Sequence, residues 1–251
     1  MVTYVFATIL AVQQAPARDS LLARGIRLAA LEPARALVCF EAILAGDSSD
    51  VEAGWRAAIA RADLAEAFPG PRNQARRDSL LDQAQLSARR AVRLAPADPN
   101  ALFTLGMVLG WTALERSGKE RVRLSAEIRE LALRALAADS THDGAHHLLG
   151  RWHYEVRRLS GFQRFIARTF LGGGVLGQAS WAAAQRHLER AAALDSTRIY
   201  HRLDLAQVLM ARKQPAAARA ELERLLALPV RVAADSSYRR QAQELLSRLL
   251  Q

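Results

Sequence analysis

Residues 146–161, HHLLGRWHYEVRRLSG, hold three histidines, a tryptophan, a tyrosine and three arginines in sixteen positions. Imidazoles at helical spacing could bind a transition metal or move protons. His142, His146 and His153 can share one face of a helix, being four and then seven residues apart. That face carries no carboxylate, His142 falls in the turn before the helix, and no HExxH spacing occurs, so no metal site is expected. GGGVLG satisfies G-x-G-x-x-G through Gly172, Gly174 and Gly177, but a helical pattern rather than a strand precedes it, so it reads as a connector. No G-x-S-x-G, no Ser/His/Asp set at a loop apex and no distinctive carboxylate pair is present. No catalytic residue, cofactor or metal ligand is therefore assigned, and the protein is expected not to be an enzyme.

The elements that must position these side chains are helices. Ala, Leu, Arg, Glu and Gln dominate the 251 residues, aromatic content is 6%, and no Val/Ile/Thr alternation is sustained, which predicts an all-α protein. The net charge is +10, and 33 of the 35 basic residues are Arg, spread among Asp and Glu rather than clustered. A nucleic-acid partner is accordingly not expected. Cys39, alone in the apolar run ALVCF, is expected to be a buried thiol. Residues 1–17 combine an apolar stretch with Ala15-Pro16-Ala17, as in a signal peptide, but lack a basic start. The segment is either such a leader, with export to the periplasm, or an apolar amino-terminal segment of a cytoplasmic protein.

The chain repeats. PNALFTLGMVLGW (99–111), DGAHHLLGRWHYE (143–155) and IYHRLDLAQVLMA (199–211) each place Gly or Ala after a Leu, at Leu105-Gly106, Leu149-Gly150 and Leu205-Ala206. A second amphipathic segment precedes each phrase and ends on a small residue and an acidic or Pro turn. This is the tetratricopeptide pattern of helix pairs. Ala84, Ala91, Pro96 and Leu105-Gly106 keep its 34-residue register, but the Leu-Gly pairs lie 44 and 56 residues apart. The excess is assigned to insertions near ERSGKERVRL and LSGFQRFIARTFLGGGVLGQAS, between the helices of a pair. The expected architecture is a single right-handed α-solenoid over 18–251. It has a degenerate first repeat (18–98), repeats starting near 99, 143 and 199, and a capping helix over 236–251.

In this register His146 and His153 take positions packed between paired helices. His147, Arg151, Tyr154 and Arg158 run along another face, the one that lines the concave groove of such solenoids. That stripe suits a carboxylate, a phosphate or an acidic peptide. Its counterparts are Asn100, Phe103 and Met107 before it, and Tyr200, Leu203 and Gln207 after it. In the insertion, Phe162, Phe165, Ile166, Thr169 and Phe170 share a side opposite Arg164 and Arg168. Such a helix either lies on an anionic membrane or folds back and buries its phenylalanines, and fold-back is the favoured expectation.

HLLGRWHYEVRRLSGFQRFIARTFLG (147–172) resembles the regulator of microtubule dynamics family of tetratricopeptide proteins. The likeness rests on His147, Leu149, Gly150, Trp152, Tyr154, Gln163, Arg164, Ile166, Ala167 and Phe170. LERAAALD and LALPV also look similar, and Gly161 stands where the family pattern suggests Trp. The resemblance implies a helical-repeat scaffold over roughly 50–250. In eukaryotic members it implies microtubule or organelle-contact roles, and in one branch a lipid-binding groove. The Arg/Ala-rich composition looks bacterial, so only the scaffold and groove carry over. The expected function is binding of a partner protein or peptide in the groove. The alternative is carriage of a lipid or other amphipathic anion, with Phe162, Phe165, Ile166 and Phe170 as a lid.

Overall fold

The computed structural model describes residues 18–68 and 70–249, with the side chains of Glu115, Arg168 and Phe170 outside the description; the leader-like segment 1–17 also lies outside it. The described residues form helices and short 3₁₀ turns. They fall into two compact units divided between Ala95 and Pro96, where a single domain over 18–251 was expected.

The amino-terminal unit holds α1 (18–29), α2 (Pro33–Gly46), α3 (Val51–Glu66) and α4 (Gln74–Leu94). Phe40 and Ile43 of α2 pack with Leu22 of α1 and with Ala53, Ala57 and Ala60 of α3, all buried. Alanines on both α3 and α4, among them Ala58, Ala84, Ala88 and Ala91, are also buried. Small side chains let two helices approach closely enough to exclude water along their whole contact. α3 falls within the expected degenerate first repeat over 18–98. Cys39 is buried, as expected of a lone thiol in an apolar run.

The carboxy-terminal unit pairs α5 (Pro99–Glu115) with α6 (Gly118–Ala138), α7 (Asp143–Arg158) with α9 (Trp181–Leu194), and α10 (Ile199–Ala211) with α11 (Pro215–Ala227). α12 (Asp235–Leu249) follows, one residue earlier than expected at its start. Each helix packs on the next, and α5, α7, α10 and α12 also touch in series, so the first helices of successive pairs form one face of this unit. Local chemistry starts and stops these helices. Asp98 and Ser180 accept hydrogen bonds from Ala101 N and Ala183 N, each an N-cap worth about 1 kcal/mol. The turns DST at 139–141 and 195–197 are built alike, the Asp Oδ1 accepting from the Thr backbone N at 2.8 and 3.0 Å.

The Leu-Gly phrase marks where helices cross. A Cβ on Gly150 would lie 2.7 Å from Leu188 Cγ and 3.2 Å from the Ala184 carbonyl, so α7 sits on α9 only because that position is bare. A Cβ on Gly106 would meet Leu148 at 2.5 Å. The insertion between α7 and α9 contains α8 (Gly161–Phe170) and a 3₁₀ turn (Gly174–Gln178), so GGGVLG follows a helix and forms a connector, not a nucleotide loop.

Candidate functional site

The stripe lies where α7 meets α10. α7 begins at His142, whose Nδ1 accepts from Ala145 N at 3.0 Å and so caps the helix. From there α7 presents Asp143, His147 and Arg151 to α10, and Arg158 lies at its end. α10 answers with Tyr200, His201, Asp204 and Gln207.

A continuous polar chain joins the two helices. Asp143 Oδ2 lies 3.0 Å from His201 Nε2, His201 Nδ1 lies 3.0 Å from His147 Nδ1, and His147 Nε2 lies 3.1 Å from Asp204 Oδ2. Arg151 donates to Asp204 at 3.0 Å, to Gln207 at 3.2 Å and to Glu155 at 2.6 Å. Burial favours the neutral acid at both carboxyls, but His201 holds Asp143 down to about 2, and Arg151 and His147 hold Asp204 below the usual range. Burial pushes the His201 imidazole down, with Asp143 opposing it. Three ring contacts need three N–H protons, one more than two neutral imidazoles carry. With both rings neutral and both carboxylates ionised, one of the three contacts is left without a proton.

The structure therefore corrects the expected chemistry of the stripe. His147 and Arg151 do not form an open cationic strip, because Asp204 pairs with both and Glu155 with Arg151. Tyr154 is only 7% exposed and packs with Leu188, Leu205 and Val208 in the core between α7, α9 and α10, with Arg151 and Arg158 over its ring. Leu203 is buried under α11 and α12, and Asp204 takes the expected groove position beside it. Arg158 remains the open cation, its side chain 58% exposed and 3.8 Å from Glu155. Tyr200 is half-buried, edge-on to His147, and lines a cavity of about 210 Å³ with Arg198, Arg231 and Asp235. On α5, Phe103 packs on the His142 ring and over Gly144, Met107 is half-buried and Asn100 exposed.

His146 and His153 sit between α7 and α9. His146 Nδ1 is 3.0 Å from His187 Nδ1, and the His146 Nε2 faces the Ser140 carbonyl, a pattern that two neutral rings satisfy. Burial, reinforced by neighbouring Arg129 and Arg186 at His153 and by His146 at His187, pushes both His153 and His187 down to about 4. Trp152 donates to Ser125 on α6. Among the described residues no three His, Cys, Asp or Glu converge as a metal would require.

The expected lid is placed elsewhere. α8 rests on α6, a second helix, and on the 3₁₀ turn rather than across the α7–α10 stripe. Fold-back is also corrected: Phe162 and Phe165 are 74% and 57% exposed, Ile166 is half-buried, and it is Ala167 that faces inward. The Phe170 side chain lies outside the description. The residues that sequence reasoning missed are Asp143, His201, Asp204 and Glu155. For Asp204 the signal was the 4,3 spacing of His147, Arg151 and Tyr154 recurring at Tyr200, Asp204 and Gln207, with Asp answering Arg; Asp143, His201 and Glu155 had none.

The model of the family described as regulator of microtubule dynamics protein 1-3 matches residues 31–250. The chain belongs to that family. The resemblance read at 147–172 thus extends over nearly the whole chain, and Gly161, the departure from the family pattern, opens α8 with nothing near its α-carbon for a side chain to meet. Among solved structures, this family member is similar to a thermophilic tetratricopeptide protein, TTC0263, of Thermus thermophilus. Identity is 18%, coverage is 92% of this chain and 99% of that one, and the TM-score is 0.66. It is also similar to PilF of Pseudomonas aeruginosa, at 14% identity, 94% and 90% coverage and a TM-score of 0.55. No curated protein sequence matches significantly. At these identities the likeness establishes the fold, an all-α tetratricopeptide-like solenoid, and nothing finer.

Proposed function

We propose that the protein is a non-catalytic scaffold that binds an extended segment of a partner protein along the first-helix face of its carboxy-terminal unit. The observation that carries this reading is the series contact of α5, α7, α10 and α12, the first three of which carry Asn100, Met107, Arg158 and Gln207. That is the face that is concave in tetratricopeptide solenoids. The paired charges beneath it support a rigid platform: Arg151 and His147 are held by Asp204 and Glu155, so the partner need not neutralise them. A mixed polar partner with an acidic group opposite Arg158 fits better than a wholly anionic one. The microtubule partner in the family's name is not part of the proposal, and neither is a lipid roofed by α8, since α8 packs on α6.

The test is capture of a partner by the full chain, followed by hydrogen exchange of the complex. Protection is expected on α5, α7 and α10, and Arg158→Glu should weaken capture about tenfold without shifting the melting temperature. Protection confined to α6, α9 and α11, or capture unaffected by Arg158→Glu, overturns the assignment.

A further inference from the structure

All 25 acidic residues lie outside the stretch 156–188, the longest acid-free run in the chain. Those 33 positions carry Arg157, Arg158, Arg164, Arg168 and Arg186, equal to half of the net charge of +10. Elsewhere Arg is interleaved with Asp and Glu. The run also contains α8, which a capping box fixes at its start: Ser160 Oγ accepts from Gln163 N at 3.1 Å, and Gln163 Oε1 accepts from Ser160 N at 2.9 Å. The Arg164 guanidinium donates to the carbonyls of Arg157 and Leu159, tying α8 to the end of α7.

So anchored, α8 turns Ala167 inward and holds Phe162 and Phe165, one turn apart, toward solvent. They are the only large aromatic side chains exposed among the described residues. A soluble surface gains nothing from two adjacent exposed phenylalanines, whereas an interfacial helix needs them. The cavity lined by Arg198, Tyr200 and Asp235 and the one lined by Leu44, Arg90 and Leu94 include no α8 residue, so neither is a socket beside these rings.

We propose that α8 is a membrane-surface contact, lying along an anionic lipid bilayer with Phe162 and Phe165 inserted at the headgroup level. A bilayer fits these observations better than a protein or nucleic acid does. It takes up apolar rings without a shape-matched cavity, and its negative surface potential attracts an acid-free arginine segment over about a Debye length, roughly 10 Å at moderate salt. α8 rests on the second helix α6, so its phenylalanines are separate from the scaffold face, and Arg158 is the one residue of the acid-free run that both readings use.

The experiment is vesicle co-sedimentation of the full chain. Vesicles are phosphatidylcholine alone, or the same lipid with about one-third phosphatidylglycerol. Binding at least about tenfold tighter to the anionic vesicles is expected, falling about tenfold in the Phe162→Ala, Phe165→Ala variant at unchanged melting temperature. A Phe162→Trp variant should show indole emission, relative to wild type, that shifts blue and is quenched by brominated lipid. Absence of anionic-vesicle binding overturns the proposal. So does binding that the double alanine variant retains, which assigns it to diffuse charge. Phenylalanine-dependent binding to single-stranded RNA without vesicle binding overturns it in favour of nucleic acid.

Discussion

The α7–α10 contact is held by charges that each need the other. Asp204 receives both His147 and Arg151, so Asp204→Asn leaves two partly buried donors facing a neutral amide. The expected loss is about 1–3 kcal/mol in urea unfolding, since an imperfectly paired buried group retains its desolvation cost. Glu155→Gln, nearer the surface, should cost under about 1 kcal/mol. The histidines between α7 and α9 set the acid response. His153 and His187 titrate near 4 in the folded chain and near 6.5 unfolded, so the unfolded chain binds more protons across that window. Stability is expected to be intact above pH 6.5 and to fall as pH drops toward 4. His146, Arg129 and Arg186 face these rings and add to the penalty on charging them. Replacing His153 and His187 with Leu should flatten that limb of the pH–stability curve, and an unchanged slope would refute the assignment.

Helix by helix, glycines separate into those that permit contact and those that do not. Gly150→Ala would drive a methyl into Leu188 and the Ala184 carbonyl, and is expected to cost about 1–3 kcal/mol by overpacking. Gly110, also within a helix, has open space where its Cβ would stand. Gly110→Ala is therefore expected to stabilise by up to about 1 kcal/mol through helix propensity alone. Thermal melts of the two variants measure the contrast. The recurring phrase of Leu followed by Gly or Ala made the first of these legible in the sequence, because a small residue repeated at each crossing has one economical explanation. The α8 orientation was not legible. Its amphipathic pattern is compatible with either side facing inward, and the inward side is set by Ala167, the short residue that lets α8 approach its neighbours.

At the scale of the molecule, a solenoid must close its last open face. α12 does so with Tyr238, Ala242, Leu245, Leu246 and Leu249 over Ile199, Leu203, Leu222 and Leu225. Asp235 fixes its start by accepting from Arg231 N and Val232 N at 2.7 and 2.9 Å. Ending the chain at residue 234 is expected to expose that apolar layer, raise dye binding to hydrophobic surface and promote aggregation, while Asp235→Ala should loosen the cap to a lesser degree. A truncated chain that stays monomeric and melts like the full one would show that the cap is dispensable.

Helix content, pairing, the crossings at small residues and the terminal cap were all determined by the sequence itself, because they rest on propensities and spacings within about 40 residues. The family could be read in the same way from 147–172. Which charges on α7 stay open was decided only by tertiary structure. Asp204 lies 53 residues from Arg151, and a cationic stripe becomes an ion-paired clasp once the next repeat brings that carboxylate within 3.0 Å. The same holds for α8, whose phenylalanines face solvent because Ala167 takes the inward side where α8 rests on its neighbours.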